Sequence, residues 1–140
     1  MVVDDDPAYL FFAELALGTE FRLTSVEDSR LAVAEIQTIE PDLIFLDLMM
    51  PYVDGVGICE ELNESHPTAL PKVIINTANP SNPACTRLID LGVHAVVMKL
   101  ADAEQFVDLA AKMIDQINGG RSASRDRPVG EPQGAAYRKC

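Results

Sequence analysis

Short apolar runs alternate with longer amphipathic stretches along the first 118 residues. The clearest run is LIFL at 43–46, which is too short for a helix and lies between Pro41-Asp42 and Met50-Pro51. These features predict a strand that is buried on both faces. We predict four more strands, at 2–3, 21–26, 73–75 and 95–98.

Apolar residues spaced three and four apart predict a helix after each strand. Pro7 suits the first turn of the first helix, with Asp6 as its N-cap and Gly18 as its end. Alternating strands and helices favour a parallel, doubly wound α/β sheet. The predicted helices cover about 7–17, 29–40, 56–66, 83–91 and 103–117.

Composition limits the class of protein. A chain of 140 residues that is 48% hydrophobic supports one domain with a substantial core. Three scattered cysteines and two histidines favour neither a disulfide framework nor a structural zinc site. No apolar run approaches the roughly 20 residues that span a bilayer, and the start of the chain does not resemble a signal peptide. We therefore expect a cytoplasmic protein without membrane association.

Charge separates the chain into two parts. The net charge is −11, but residues 119–140 carry five Lys/Arg against two acids, so residues 1–118 carry −14. A domain this acidic repels nucleic acid, and we expect no direct nucleic acid binding by the globular part. The basic segment 119–140 is rich in Gly, Pro and Ser and lacks periodicity, which predicts a linker or disorder following a domain at 1–118.

The first helix is apolar nearly all round, because Glu14 is the one charged residue in 8–17. A helix on a sheet normally buries one stripe. We therefore expect parts of Tyr9, Phe12 and Ala16 to face outward as an apolar patch, which often marks a partner surface. The alternatives are a homodimer or partner interface on this helix, or coverage of the patch by the C-terminal tail or the last helix.

Polar residues follow four of the predicted strands: Asp4 and Asp5, Asp47, Thr77, and Lys99. The carboxyl ends of parallel strands lie at one edge of the sheet, where ligand-binding groups are usual. Converging carboxylates favour a hard cation such as Mg²⁺, and a hydroxyl and an ammonium beside them suit the oxygens of a phosphoryl group. Asp47 could instead cap the following turn. The pattern favours phosphoryl transfer to a carboxylate.

The sequence resembles the response-regulator receiver domain over about residues 1–118. The resemblance rests on VVDDDP at 2–7, PDLIFLDLMMPYVDG at 41–55, VIINTA at 73–78 and VVMK at 96–99, in the family's order and spacing. It implies a flavodoxin-like fold with strand order 2-1-3-4-5. It also implies a two-component response regulator that catalyses its own phosphorylation and dephosphorylation rather than a turnover enzyme.

The resemblance also implies roles for particular residues. Asp47 would be the phosphoacceptor, Thr77 the switch hydroxyl and Lys99 the cation that contacts the phosphoryl group. Mg²⁺ would be bound by Asp5, Asp47 and the backbone carbonyl of Met49, with Asp4 in support. A sensor histidine kinase or a phosphotransfer protein would donate the phosphoryl group, and a downstream protein partner would receive the signal.

Two positions depart from the family pattern. Val96 stands where the family often has a Tyr or Phe that takes part in switching, and Leu100 stands where it usually has a proline. One alternative is therefore a pseudo-receiver, an interaction module without phosphorylation. The other is a phosphohydrolase of the haloacid dehalogenase kind, but the second acid of that motif is absent because Met49 lies two residues after Asp47.

Overall fold

The structure is a computed structural model of the chain and describes residues 1–65, 71–119 and 137–139. Within these residues, five parallel strands form one sheet in the order β2-β1-β3-β4-β5, which confirms the predicted fold. A further strand, β6 (Tyr137–Lys139), pairs antiparallel with β5. The parallel strands are β1 (Val2–Val3), β2 (Ser25–Val26), β3 (Leu43–Leu46), β4 (Lys72–Thr77) and β5 (Ala95–Met98).

The helices agree with the predicted alternation. The Asp6 side chain caps the first helix by accepting a hydrogen bond from the Ala8 N–H at 2.9 Å, and Asp102 caps the last helix in the same way. The predicted end of the third helix, His66-Pro67, lies outside the described residues. The helices are α1 (Pro7–Leu17), α2 (Ala32–Ile39), α3 (Gly55–Ser65), α4 (Ala84–Asp90) and α5 (Ala103–Ile117).

The second strand is shorter than predicted. We predicted a strand of six residues at 21–26, but only Ser25 and Val26 pair, with Val2 and Val3. A strand at the edge of the sheet extends only as far as its partner, and β1 is two residues long. Phe21 and Leu23 instead pack half-buried against the core. These two apolar residues are therefore buried without strand pairing.

The strand β3 separates two apolar layers, as its continuous run predicted. Ile44 and Leu46 pack with residues of α2, α3 and α4, whereas Leu43 and Phe45 face α1 and α5. Phe106 of α5 meets the Phe45 ring edge-on, with 4.8 Å between centroids. Such a pair contributes about 0.5–1.5 kcal/mol beyond its buried area. The two layers hold β3, and so Asp47 at its end, in the centre of the sheet.

The outward patch predicted at Tyr9, Phe12 and Ala16 was wrong, and the alternative of coverage by the last helix describes Phe12. Ala16 is buried, and the Phe12 ring stacks on Phe106 of α5 with 6.0 Å between centroids. Because α5 lies beside α1 on the same face of the sheet, α1 buries a second stripe against it. Phe11 and Leu15 are the exposed large apolar residues of the helix, at 62% and 65%.

No helix in the described ranges combines the length and apolar character needed to cross a bilayer. Of the C-terminal segment 119–140, the structure describes Gly119 and the backbone of β6. The predicted linker or disordered tail otherwise lies outside the described residues, and its character stays a prediction.

Candidate phosphoacceptor and metal site

Three aspartates converge at the carboxyl edge of the sheet. Val3 pairs with Leu46, and the Asp47 N–H donates to the Val3 carbonyl at 2.9 Å. This register places Asp4, the residue after β1, beside Asp47, the residue after β3. Asp4, Asp5 and Asp47 each offer a carboxylate oxygen, and these oxygens lie within 4.8 Å of one another. The predicted cluster is therefore present.

Lys99 enters this cluster from β5. Its Nζ lies 2.7 Å from Oδ2 of Asp4 and 3.8 Å from Oδ2 of Asp47. The Lys99 N–H donates to the Thr77 carbonyl at 2.8 Å, which fixes the end of β5 against the end of β4. One ammonium thus faces two buried carboxylates, which leaves excess negative charge at the site.

Burial and the neighbouring charges shift the pKa values of two of the aspartates. Burial and the neighbouring Asp4 charge raise the pKa of Asp47 to about 6, although Lys99 acts in the opposite direction. Burial likewise raises the pKa of Asp4 against the hydrogen bond from Lys99. A bound cation would lower these raised pKa values, because a nearby opposite charge favours the ionised form of a carboxylate.

The residues present fit Mg²⁺. All three side chains offer oxygen ligands, which hard divalent cations prefer, and Asp5 remains half-exposed toward solvent, where bound water can enter. The Met49 side chain is 63% exposed just past the strand end. That the backbone carbonyl of Met49 binds the metal stays a prediction from the family resemblance.

Thr77 ends β4 at the same edge of the sheet. Leu46 pairs with Ile75 and Thr77 pairs with Met98, so Thr77 lies near the residues that follow β3 and β5. Its side chain is buried, and Oγ1 accepts a hydrogen bond from the Asn79 N–H at 3.3 Å. The hydroxyl is thus bound to the loop after β4.

The loop between β3 and α3 is held by Ser29, which the sequence did not single out for this role. The Ser29 hydroxyl donates to the Pro51 carbonyl at 2.6 Å and accepts from the Val53 N–H at 3.2 Å. Between them, Tyr52 adopts the left-handed region with φ of 69°, and Arg30 lies 4.2 Å from its ring centroid. Contacts over 22 and 24 residues leave no local signal in the sequence.

Both departures from the family pattern are buried. Val96 packs in the layer that contains α4, and Leu100 packs in the layer of α1 and α5. All peptide bonds of the described residues are trans. Lys99 reaches Asp4 with leucine as the following residue.

Comparisons with known proteins agree with this geometry. The family model for the response regulator receiver domain matches residues 1–111. The DNA-binding transcriptional regulator NtrC of Klebsiella pneumoniae is 28% identical over 132 residues, which cover 94% of this chain and 28% of that protein. NtrC of Salmonella typhimurium is 31% identical over 114 residues, covering 81% of this chain and 24% of that protein. The chain thus spans about a quarter of these relatives.

Solved structures support the fold. A CheY-like receiver domain protein from Methanospirillum hungatei aligns with a TM-score of 0.75 at 20% identity, covering 84% of this chain and 94% of that one. The receiver domain of a Luxo repressor protein from Vibrio parahaemolyticus aligns with a TM-score of 0.74 at 24% identity, covering 84% and 89%. On the family match, this chain belongs to the response regulator receiver domains, the signalling domains of two-component systems.

Proposed function

We propose that this domain accepts a phosphoryl group on Asp47 from a sensor histidine kinase or a phosphotransfer protein, with Mg²⁺, and signals through a protein partner. The observation that supports this proposal is the convergence of Asp4, Asp5 and Asp47 with the Lys99 ammonium at the sheet edge. We assign the metal to Asp5, Asp47 and the Met49 carbonyl, supported by Asp4.

In the proposed reaction, a carboxylate oxygen of Asp47 forms a bond to phosphorus. The bond between phosphorus and the donor's imidazole nitrogen breaks, and its electron pair stays on that nitrogen. Asp47 is 6% exposed, so little water competes for its oxygens. Lys99 and Thr77 are the donors for the phosphoryl oxygens, and Asp4 keeps the Lys99 ammonium within reach. When bound, Mg²⁺ supplies positive charge that offsets the carboxylates and the phosphoryl oxygens.

Incubation with an acyl phosphate as a small-molecule donor, with and without Mg²⁺, tests the proposal. We expect one acid-stable, base-labile acyl phosphate per chain, formed only with Mg²⁺. Absence of any label favours the pseudo-receiver. Rapid continuous release of phosphate from varied phosphate monoesters favours the phosphohydrolase, although the missing acid at Met49 argues against it.

Mg²⁺ should stabilise the folded domain. Bound cation relieves repulsion among the three aspartates, and mass action predicts about 2.7 kcal/mol at a concentration a hundred times Kd. Thermal melting at pH 7.5 with increasing MgCl₂ measures the gain, which should shrink in Asp5→Asn. The gain should also fall as pH drops below about 6, because the raised pKa of Asp47 makes protons compete with the metal. Melting that is indifferent to millimolar Mg²⁺ contradicts a metal site.

The charge of the domain bears on how it passes on its signal. The curated relatives are named as DNA-binding transcriptional regulators, and this chain covers about a quarter of their length. The charge of −14 on residues 1–118 argues against direct DNA contact by the receiver domain itself. We therefore propose that the signal leaves through protein contacts. The cytoplasmic location remains a prediction.

We propose that α1 carries a homodimer or partner surface built on Phe11 and Leu15, in place of the residues predicted from the sequence. Both side chains are mostly exposed, and they are four residues apart in the helix. Of the three residues between them, only Glu14 is charged. Leu15→Glu should lower the weight-average mass in sedimentation equilibrium at high concentration. Leu31→Glu is the matched control, since Leu31 is 55% exposed and lies outside α1. A monomeric wild type that neither substitution changes argues against the homodimer.

A further inference from the structure

Tyr9 lies in the first turn of α1 and contacts the ends of two strands. Its ring centroid is 4.6 Å from Nζ of Lys99. Its hydroxyl oxygen accepts a hydrogen bond from Nδ2 of Asn76 at 2.8 Å. Asn76 precedes Thr77, so one side chain of α1 touches both the residue that bears the ammonium and the neighbour of the buried hydroxyl.

We propose that Tyr9 is a positioning residue for Lys99: its ring holds the ammonium over its face, between Asp4 and Asp47, while its hydroxyl fixes the ring to β4. The consequence for phosphorylation rests on the proposed function. The placement of Lys99 does not rest on the proposed function, because it can be measured in the unphosphorylated protein.

The physical basis is the mobility of lysine. Its ammonium is a point charge on a flexible four-carbon stem, so a single ion pair leaves it several conformations. In this domain the Lys99 ammonium lies 2.7 Å from Oδ2 of Asp4 and 4.6 Å from the centroid of the Tyr9 ring, over its electron-rich face. Lys99 is only 22% exposed, and cation–π attraction is stronger where water is scarce. The two contacts together restrict the ammonium to the space beside Asp47.

The hydroxyl keeps the ring in place. Asn76 is 1% exposed, so its side chain has little freedom, and its amide anchors the Tyr9 oxygen from the end of β4. The rings of Phe12 and Phe106 also pack near the Tyr9 ring, with centroids 5.7 and 6.2 Å away. A purely structural role in this aromatic cluster is the competing explanation, and Phe12 provides the control for it.

Lysine labelled with ¹³C at Cε gives a direct readout by NMR in the unphosphorylated protein. The chain has four lysines, and Lys99→Arg identifies the signal of Lys99. We expect its ε-protons upfield of the other lysines in the wild type, because they lie near the ring face. This displacement should be reduced in Tyr9→Phe, which keeps the ring but loses its hydrogen bond from Asn76, and it should be lost in Tyr9→Leu. An unchanged Lys99 signal in folded Tyr9→Leu overturns the proposal.

The second readout is the rate at which an acyl phosphate labels Asp47. Loss of a partly desolvated cation–π contact predicts a fall of about 3- to 30-fold in Tyr9→Leu. Tyr9→Phe should recover much of the rate. Phe12→Leu removes a ring of the same cluster without touching Lys99, so it should lower stability while the rate is retained. Equal slowing by Tyr9→Leu and Phe12→Leu overturns the proposal. If the wild type itself is not labelled, the proposed function fails, and the NMR experiment still decides the role of Tyr9.

Discussion

Asp47→Asn should take up no phosphoryl group from an acyl phosphate under conditions that label the wild type fully. Asp47 lies buried at the end of β3, with the Asp4 and Asp5 carboxylates and the Lys99 ammonium within reach. An amide oxygen is a far weaker nucleophile than a carboxylate oxygen. The substitution also removes a negative charge from the metal site. Intact-mass spectrometry with Mg²⁺ measures the change.

The matched control for this loss is Asp54→Asn. Asp54 is an exposed acid seven residues later, whose Oδ1 accepts from the Gly57 N–H at 2.8 Å. Asparagine can accept the same bond, so the fold and the labelling should both persist. Asp47→Asn should also stay folded, because it removes repulsion with Asp4. A label that survives in Asp47→Asn shows a different phosphoacceptor.

Gly55→Ala should destabilise the domain by about 1–3 kcal/mol, as overpacking against fixed atoms does. A Cβ on Gly55 would lie 2.7 Å from the carbonyl oxygen of Asp47 and 3.1 Å from Cα of Leu48. The Gly55 N–H also donates to the Leu48 carbonyl at 2.9 Å. Because these contacts are backbone atoms, relief requires movement of the strand end that carries Asp47.

Gly57→Ala is the control and should cost less stability than Gly55→Ala. Its added Cβ would meet the Val53 side chain at 3.2 Å and Oδ1 of Asp54 at 3.5 Å, so its close contacts are with side chains rather than with backbone. Gly57 lies inside α3, where alanine is favoured over glycine by up to about 1 kcal/mol. The midpoints of urea unfolding compare the stability of the wild type, Gly55→Ala and Gly57→Ala. Equal midpoints for Gly55→Ala and the wild type would show that the start of α3 does not pack tightly against the phosphoacceptor strand.

The alternation of strands and helices and the strand-end residues could be predicted from the sequence because each depends on local signals, whereas the strand order was implied by the family resemblance. The run at 43–46 is apolar at every position, which only a strand covered on both faces requires. Asp47 and Lys99 directly follow their strands, so parallel pairing alone brings them to one edge. The distances among them depend on register, which the structure supplies.

The side of α1 that faces the core could not be predicted, because a helix that is apolar at nearly every position has no periodic pattern of polar and apolar residues. Its orientation is set by α5, which packs beside it and draws in Phe12. Local patterns also gave no hint of Tyr9 beside Lys99, or of Ser29 beside the loop at 51–53. Each of these contacts joins residues that are distant in the chain and paired only by the fold.

Location of the phosphoryl group tests the central claim most directly. Wild-type protein treated with an acyl phosphate and Mg²⁺ is reduced with borohydride, which converts an aspartyl phosphate to homoserine, and is then digested and sequenced by tandem mass spectrometry. We predict homoserine at position 47, dependent on Mg²⁺. Homoserine at another aspartate, or at none while the protein is folded, would contradict the assignment of Asp47 as the phosphoacceptor.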